Sequence, residues 1–194
     1  LHLCHHNLET IETTPTTSDN AKHKLLLEVC MAAKYEGDLI KTHYTEHQVT
    51  NRDTKSQLCT VLARSFADIG DIVRGRDLYS GNDEEKKQRK QLDKNLKDIF
   101  GKIYQELIPT SGRNGKEAQE YYKKDDEDGN FFKLREDWWN NNRLMVWYAI
   151  TCGVKGNKYF RHSCGSGKTE TRDNCRCPIH KVPTYFDYVP QYLR

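Results

Sequence analysis

Apolar residues recur at helical spacing in four stretches of the chain, and polar segments separate these stretches. The first stretch extends from Ala21 to Glu36 and has apolar residues at i, i+3, i+4 and i+7. This stripe consists of Leu26, Val29, Cys30 and Ala33. Gly37 follows it, and glycine is a common C-terminal stop. The pattern therefore predicts a first helix that ends at Gly37.

The second stretch begins at Ser56, after a polar segment, and has the clearest amphipathic pattern in the chain. Its predicted buried face consists of Leu58, Val61, Leu62, Ser65, Ile69, Ile72 and Val73. Its predicted solvent face consists of Arg64, Asp68, Asp71, Arg74 and Arg76. Gly70 is either tolerated inside the helix or marks a bend, and Gly75 lies near its end. A helix buried along one side is expected here.

The third stretch starts at Asn82 or Asp83, either of which can cap a helix, and Glu84 and Glu85 suit its first turn. Its apolar stripe consists of Leu92, Leu96, Ile99, Ile103 and Leu107. Pro109 is expected to end the helix. The segment from Thr110 to Asn130 lacks a lasting period, which predicts an exposed loop, with Asp125 to Gly129 as a solvated acidic turn.

The fourth stretch starts near Phe131 and is apolar on more than one side. One side carries Phe131, Leu134, Trp138, Met145, Ala149 and Cys152, and the face is widened by Trp139, Val146 and Ile150. A helical aromatic stripe more often packs than binds a sugar, so Trp138, Trp139 and Trp147 are predicted to lie in the core. The segment from Cys152 to Pro183 should be irregular, and Tyr185 to Arg194 is predicted to open a fifth helix.

Length and composition indicate one domain or a large piece of one. The 194 residues are 36% hydrophobic and 30% charged, which favours thin helical layers with charged outer faces. Residues 1–20 lack apolar periodicity and are expected to form an N-terminal loop, and residues 21–194 are expected to form the helical part of the chain. No apolar run is long enough for a membrane span, so we expect a soluble piece of a larger protein. The net charge of +3 is far from the clustered basicity of a nucleic-acid-binding domain, and no nucleic-acid partner is expected.

Seven cysteines without reductase or zinc-finger spacing favour disulfides in an oxidising compartment. Cys164, Cys175, Cys177 and His180 are an alternative zinc set, but the close pair is separated by one residue rather than two to four. Cys175 and Cys177 should instead reach two different partners. The odd count leaves one thiol over, and Cys4 is the expected unpaired residue.

The chain contains no group of residues typical of an enzyme. Gly165 to Thr169 spell GSGKT, yet His162 stands where a phosphate loop needs its first glycine, and no strand precedes it. Neither an activated nucleophile nor a metal-binding motif is present. We therefore expect no catalytic residues, no metal and no cofactor.

The remaining candidate chemistry is surface binding by basic residues. Six repeat along the third helix: Lys86, Lys87, Arg89, Lys90, Lys94 and Lys97. Three more lie among the cysteines: Arg172, Arg176 and Lys181. Positive charge of this kind can bind sulfated sugars or sialylated glycoproteins. The alternative is a solvated helix face, because Glu84, Glu85, Asp93 and Asp98 are interleaved and can form ion pairs.

Four segments together resemble a known family. They are LLLEVCMAAKYEG from Leu25, SQLCTVLARSFADIGDIVRGRDLY from Ser56, REDWWNNNRLMVWYAITC from Arg135 and PTYFDYVPQYLR from Pro183. These sequences resemble the alpha class of Duffy-binding-like domains in the variant erythrocyte membrane protein 1 family of the malaria parasite. The resemblance implies an all-α fold held by disulfides, with several long helices and irregular loops. It also implies that residues 1–20 are left from an upstream subdomain, and that residues 21–194 are the central helical subdomain of such a domain, truncated at its C-terminus.

The resemblance also implies part of the disulfide arrangement. Cys59 would bond to one member of the Cys175 and Cys177 pair, and Cys30, Cys152 and Cys164 would compete for the remaining partner and for each other. The preferred arrangement joins Cys30 to Cys152, and Cys164 to the other member of the close pair.

By resemblance, the chain is a fragment of a surface adhesin on the extracellular face of the infected red cell. It would mediate cytoadhesion or rosetting by binding a host receptor or glycan, such as heparan sulfate, a complement receptor or a blood-group sugar. Host antibodies and adjacent adhesin domains of the same protein are further expected partners. The alternative is a structural, antigenically variable scaffold whose receptor contacts lie in flanking regions or adjacent domains.

Overall fold

A computed structural model describes residues 20–50, 57–77, 82–108 and 113–194 of the chain. In these ranges the α-helices are α1 (Ala21–Thr50), α2 (Leu58–Arg74), α3 (Asp83–Leu107), α4 (Arg113–Tyr121), α5 (Lys123–Asp128) and α6 (Phe132–Ile150). Two short 3₁₀ turns follow, at Phe186–Tyr188 and Gln191–Leu193. The described residues form no strand, only two isolated β-bridges. The all-α fold expected from the sequence is confirmed.

The described residues divide into two compact units. The first unit contains Cys30–Asp71 and Asn142–Arg194, and the second contains Ile72–Asn141 with the start of α1 up to Val29. The predicted N-terminal segment of residues 1–20 lies almost wholly outside the described residues, as does Cys4.

Each unit has an aromatic core around the tryptophans of α6. In the first unit Trp147 is fully buried and its ring meets Phe66 edge to face, with centroids 5.3 Å apart. In the second unit Trp138 meets Phe100 in the same way, at 6.1 Å. Trp139 is fully buried as well. The burial of all three tryptophans confirms the prediction that they pack in the core. The edge-to-face pairs add to the stabilisation that comes from apolar burial.

Helix α1 does not end at Gly37, as the sequence predicted, but continues to Thr50. Gly37 is buried inside the helix, and a Cβ atom there would lie 2.1 Å from the carbonyl oxygen of Ile150. The glycine is therefore needed for the close approach of a neighbouring backbone and does not stop the helix.

Helix α2 has the predicted apolar face, but its polar face is only partly exposed. Arg74, expected in solvent, is 1% exposed; its Nη1 lies 3.2 Å from Glu136 Oε1 and its guanidinium is 5.8 Å from the centre of the Trp139 ring. Asp71 is also buried, and it forms an ion pair with Arg194. Both charges are buried because each has a charged partner that periodicity alone does not reveal.

The segment predicted as a loop, Thr110 to Asn130, contains helices α4 and α5. Gly129 ends α5 in the left-handed conformation at φ 64°, and its N–H donates to the carbonyl of Asp125. The carboxylate of Asp125 accepts a hydrogen bond from the Leu134 N–H, at 2.7 Å, so it caps the start of α6. The acidic segment is thus not simply a solvated turn, because one of its carboxylates satisfies a helix N–H.

The predicted fifth helix does not form between Tyr185 and Arg194. Its place is taken by the two 3₁₀ turns, which Val189 and Pro190 separate in extended conformations. Proline cannot donate the N–H that a continuous helix would need, so the chain is broken there. Arg194 then reaches the Asp68 carboxylate of α2, at 2.9 Å.

The structure contains the disulfides Cys59–Cys175 and Cys164–Cys177. The expected bond from Cys59 to the close pair, and from Cys164 to its other member, is confirmed. The preferred Cys30–Cys152 disulfide is wrong, because both residues are free thiols. Cys152 is exposed, whereas Cys30 is half-buried, and burial raises the pKa of the Cys30 thiol to about 11.

Candidate functional site

Helix α3 carries six of the nine basic residues proposed from the sequence. Asn82 is its N-cap: the Asn82 side chain accepts from the Glu85 N–H and the Glu85 side chain accepts from the Asn82 N–H, both at 2.9 Å. Asp83, Glu84 and Glu85 occupy the first turn, where the helix dipole favours negative charge. A capped and correctly charged start fixes the register of the basic residues that follow.

Three of the six basic residues are neutralised by carboxylates. Lys86 lies 3.6 Å from Asp83, and Lys97 lies 2.9 Å from Asp93. Arg89 forms an ion pair with Asp77, a residue that follows helix α2 rather than lying on α3.

The other three, Lys87, Lys90 and Lys94, form an exposed stripe. They stand at i, i+3 and i+7 and therefore share one face of the helix. Within the described ranges none of them has an ion-pair partner. We call these three residues the lysine stripe; it spans about 10 Å at the helical rise of roughly 1.5 Å per residue.

A groove of about 500 Å³ lies beside the lysine stripe, within the second unit. Its lining residues are Ile72, Gly75, Asp77, Arg89, Lys90, Leu92, Asp93, Lys94, Leu96, Lys97 and Phe132. Four of them are basic and two are acidic, so the wall carries an excess of positive charge. We call this cavity the basic groove.

Beside the groove, Asp93 is fixed by two cations. Its carboxylate lies 3.0 Å from Nη1 of the fully buried Arg135, in addition to its contact with Lys97. Burial acts to raise the pKa of Asp93, but the hydrogen bond from Lys97 and the charge of Arg135 outweigh it, so the pKa is lowered. Asp93 therefore stays ionised at neutral pH, and Lys97 and Arg135 are less available to an anionic ligand than the lysine stripe is.

The second basic group proposed from the sequence lies in the first unit, and its three members have different surroundings. Arg176 donates from Nε to Thr151 Oγ1 and from Nη2 to the Tyr148 carbonyl, both at 2.8 Å. Its guanidinium also lies 4.8 Å from the centre of the Tyr148 ring. Arg176 thus caps the last turn of α6, whereas Arg172 and Lys181 are exposed.

The alternative zinc set is not formed. Cys164, Cys175 and Cys177 are all joined in disulfides, which leaves no thiolate for a metal ion. In the ranges that the structure covers, no three histidine, cysteine or acidic side chains are grouped as metal ligands.

None of the described helices is both long and apolar enough to cross a membrane.

Three residues that line the groove were not predicted from the sequence: Gly75, Asp77 and Phe132. Asp77 and Gly75 follow α2, and nothing in the helical period of α3 points to them. Helical spacing assigned Phe131 to the apolar side of α6 and gave no role to Phe132. Their difference in exposure, 7% for Phe131 and 51% for Phe132, depends on how α6 begins.

Comparison with known proteins identifies the family. The Duffy binding domain family matches residues 1–194, the full length of the chain. This chain belongs to the Duffy binding domain family. Such domains are of an adhesin type and are in general not enzymes. No curated protein sequence matches the chain.

Solved structures of Duffy-binding-like domains are similar to this one. The NTS-DBL1(alpha-1) domain of Plasmodium falciparum membrane protein 1 (PfEMP1) from the varO strain is 40% identical, with a TM-score of 0.73 over 99% of this chain and 40% of that chain. The N-terminal NTS-DBL1-alpha and CIDR-gamma double domain of the PfEMP1 protein from the Plasmodium falciparum varO strain is 41% identical, with a TM-score of 0.75 over 99% of this chain and 25% of that chain.

A beta-class Duffy-binding-like domain is also similar. The ICAM-1-binding PfEMP1 IT4var13 DBLbeta domain is 32% identical, with a TM-score of 0.70 over 100% of this chain and 39% of that chain. Identity is higher with the two alpha-class structures, in agreement with the alpha-class resemblance of the sequence. This chain spans two fifths or less of each of these structures.

Proposed function

We propose that this Duffy-binding-like chain contributes to host-cell adhesion, and that the lysine stripe of α3 binds an anionic group on a host red-cell receptor. The parent protein would be an adhesin exposed on the outer face of the infected red cell. The ligand class that the stripe fits best is a sulfated glycan such as heparan sulfate.

The observation that carries this proposal is the difference in pairing along α3. Lys86, Arg89 and Lys97 are each neutralised, whereas the lysine stripe is exposed and has no carboxylate partner in the described part of the chain. A solvated helix face with complete ion pairing would not attract an anion. Three uncompensated ammonium groups on one helix face would attract a polyanion.

The positive charge of the stripe also favours one of the proposed ligand classes over the others. A blood-group sugar is neutral and would gain little from three ammonium groups, whereas a sulfated chain offers several anions at spacings of a few ångströms. The similarity to a PfEMP1 domain described as ICAM-1-binding supports a host-receptor function in general. It does not favour ICAM-1 as the ligand of this chain.

The test is a charge reversal of the stripe, Lys87→Glu, Lys90→Glu and Lys94→Glu together. We expect binding to a heparin column to weaken by roughly tenfold or more, and the binding of the unchanged protein to fall with added salt, because exposed charges are screened over about 10 Å at 0.1 M salt. Retention and binding to red cells should be measured in parallel.

The matched control reverses three other exposed lysines of the second unit: Lys116, Lys123 and Lys124 on α4 and α5. This variant has the same change in net charge, so it should retain most of its heparin binding if the stripe is the site. An equal loss in both variants would mean that binding follows net charge alone, and no loss in the stripe variant would place the site elsewhere.

A second candidate function is the scaffold. In the first unit α1 exposes Met31, Tyr35 and Leu39 at a spacing of four residues, and exposed apolar patches are typical of surfaces that another protein covers. Under this hypothesis the receptor contacts belong to flanking regions or adjacent domains. A red-cell binding assay that compares this chain with the full-length domain distinguishes the two, because only the scaffold hypothesis predicts that the 194 residues alone do not bind.

A further inference from the structure

Residues 160–163 form a loop in the first unit, and the first three of them are exposed. Tyr159, just before the loop, is 4% exposed, and its N–H donates to Thr171 Oγ1 at 2.9 Å. Cys164, just after the loop, is 1% exposed, and its N–H donates to the carbonyl of Thr169 at 3.0 Å. Both ends of the loop are therefore fixed. We call residues 160–163 the tethered loop.

The backbone of the tethered loop has no internal partners. Within the described part of the chain, the N–H and C=O groups of its four residues form no hydrogen bond. Phe160 is 61% exposed, and the guanidinium of Arg161 lies 5.2 Å from the centre of its ring. A protease binds its substrate as an extended strand through main-chain hydrogen bonds. A backbone of this kind can therefore enter an active site with little local unfolding.

Arg161 gives the tethered loop a specific chemistry. Its side chain is exposed and has no carboxylate partner among the described residues. Trypsin-like proteases bind such a cation in a pocket that contains an aspartate, next to the bond that they cleave. We propose that the Arg161–His162 bond is a cleavage site for an arginine-specific serine protease, and that the cleaved chain stays folded as two linked fragments. Hydrolysis consumes one water and leaves a carboxylate on Arg161 and an amino group on His162.

Arg172 is exposed in the same segment, but its backbone is held. Its N–H donates to the carbonyl of Arg176 at 2.8 Å. The preceding residue, Thr171, is 3% exposed, and the carbonyl of the following residue, Asp173, accepts from the Asn157 N–H at 2.8 Å. Cleavage after Arg172 requires these contacts to break first. The two arginines therefore differ in their backbone contacts rather than in the exposure of their side chains.

Cleavage after Arg161 leaves two fragments that a disulfide joins. Residues 1–161 contain Cys59, and residues 162–194 contain its partner Cys175. The backbones of the two fragments also pair, since the Cys175 N–H donates to the carbonyl of Asn157 at 3.1 Å. Neither contact involves the tethered loop, so both remain after the bond is hydrolysed.

Side chains of α6 hold the second fragment as well. The indole N–H of Trp147 donates to the carbonyl of Cys175 at 3.2 Å. Arg143 donates from Nη2 and Nε to the buried Asp187 carboxylate, at 2.7 Å and 2.8 Å. Each of these contacts joins a residue before the cut to a residue after it. The fold of the first unit therefore does not require an intact bond between Arg161 and His162.

The experiment is a limited digestion of the full chain with an arginine-specific trypsin-like protease under non-reducing conditions. Mass spectrometry identifies each new N-terminus and its rate of formation. We expect the N-terminus at His162 to form about tenfold faster or more than the one at Asp173, because the latter requires local unfolding. Arg161→Gln should abolish the His162 product. The matched control, Arg172→Gln, should leave its rate unchanged.

The cleaved chain should also keep its structure. On a gel it should run as one band without reductant and as two fragments after reduction. Its circular dichroism should retain the helical signal of the intact chain, and its melting temperature should stay close to that of the intact chain. This inference does not rest on the lysine stripe, because heparin binding has no part in the measurement.

Three outcomes would overturn the inference. The first is the absence of a His162 N-terminus among the early products, and the second is cleavage after Arg172 as fast as after Arg161. Either result would mean that the tethered loop is not the accessible part of this segment. The third is loss of the helical signal, or separation of the fragments, when the chain is cleaved without reductant. That result would mean that the fold depends on the continuous backbone.

Discussion

At the scale of single residues, Gly37 and Gly101 differ in whether the surrounding structure leaves room for a side chain. Both lie within long helices, α1 and α3, where alanine is intrinsically preferred by roughly 1 kcal/mol. A Cβ atom at Gly37 would collide with the Ile150 carbonyl oxygen at 2.1 Å, whereas at Gly101 it would lie 3.5 Å from the Phe131 ring, an ordinary contact. Only Gly37 is required by its surroundings.

Alanine at these two positions should therefore have opposite effects on stability. We expect Gly37→Ala to lower the free energy of unfolding by about 1–3 kcal/mol, because a backbone atom must move to make room. Gly101→Ala should raise it by a few tenths to about 1 kcal/mol through helix propensity. Urea unfolding of both variants tests this, and a gain of stability in Gly37→Ala would contradict the packing described here.

At the scale of helices, the starts of α3 and α6 are satisfied in different ways. Asn82 and Glu85 cap α3 and lie only three residues apart. Asn82 was one of the two candidate caps identified from the sequence. The cap of α6 comes from Asp125, nine residues before the N–H of Leu134 that it accepts. Because Phe132 lies in the first turn of α6, this distant cap also fixes a residue of the basic groove.

Removing the Asp125 cap should loosen the start of α6. We expect Asp125→Ala to lower the free energy of unfolding by about 1 kcal/mol, the usual effect of losing an N-cap side chain, and to accelerate hydrogen exchange at the Leu134 amide. Asp126→Ala is the matched control, since it removes an exposed carboxylate from the same helix and should have a much smaller effect. Equal losses in both variants would mean that the charge of α5, rather than the cap, is what matters.

At the scale of the whole molecule, the two disulfides restrain the unfolded chain to very different degrees. Cys59–Cys175 joins residues separated by 116 positions, and Cys164–Cys177 joins residues separated by 13. In the loop-entropy description a cross-link stabilises by roughly 3 kcal/mol for a loop of about 15 residues and by roughly 4.7 kcal/mol for one of about 100. The longer link should therefore be the more important one.

The corresponding double variants should differ in stability. We expect Cys59→Ala with Cys175→Ala to lose about 1–2 kcal/mol more than Cys164→Ala with Cys177→Ala, because it releases a much longer loop in the unfolded state. Denaturant unfolding under non-reducing conditions measures both. The reverse order would show that local restraint of the irregular segment outweighs loop length.

The family follows from the sequence, and so do helices α2, α3 and α6 and the burial of the three tryptophans. The physical reason is that an amphipathic helix carries its buried face in its own periodicity, and Asn82 and Glu85 cap α3 through neighbours in the chain. The six basic residues of α3 could also be placed on one predicted helix from its periodicity. Only the tertiary structure decided which of them are left unpaired, because Asp77, the partner of Arg89, lies outside that helix.

Contacts between distant segments decided the remainder. Gly37 lies inside helix α1 because the Ile150 backbone occupies the space that a side chain would need. Arg74 is buried because it contacts Glu136 and Trp139. Phe132 lines the groove because α6 begins where it does and Gly75 leaves room for the ring. Periodicity specifies which face of a helix is apolar, but the identity of the groups that meet that helix depends on the packing of the folded chain.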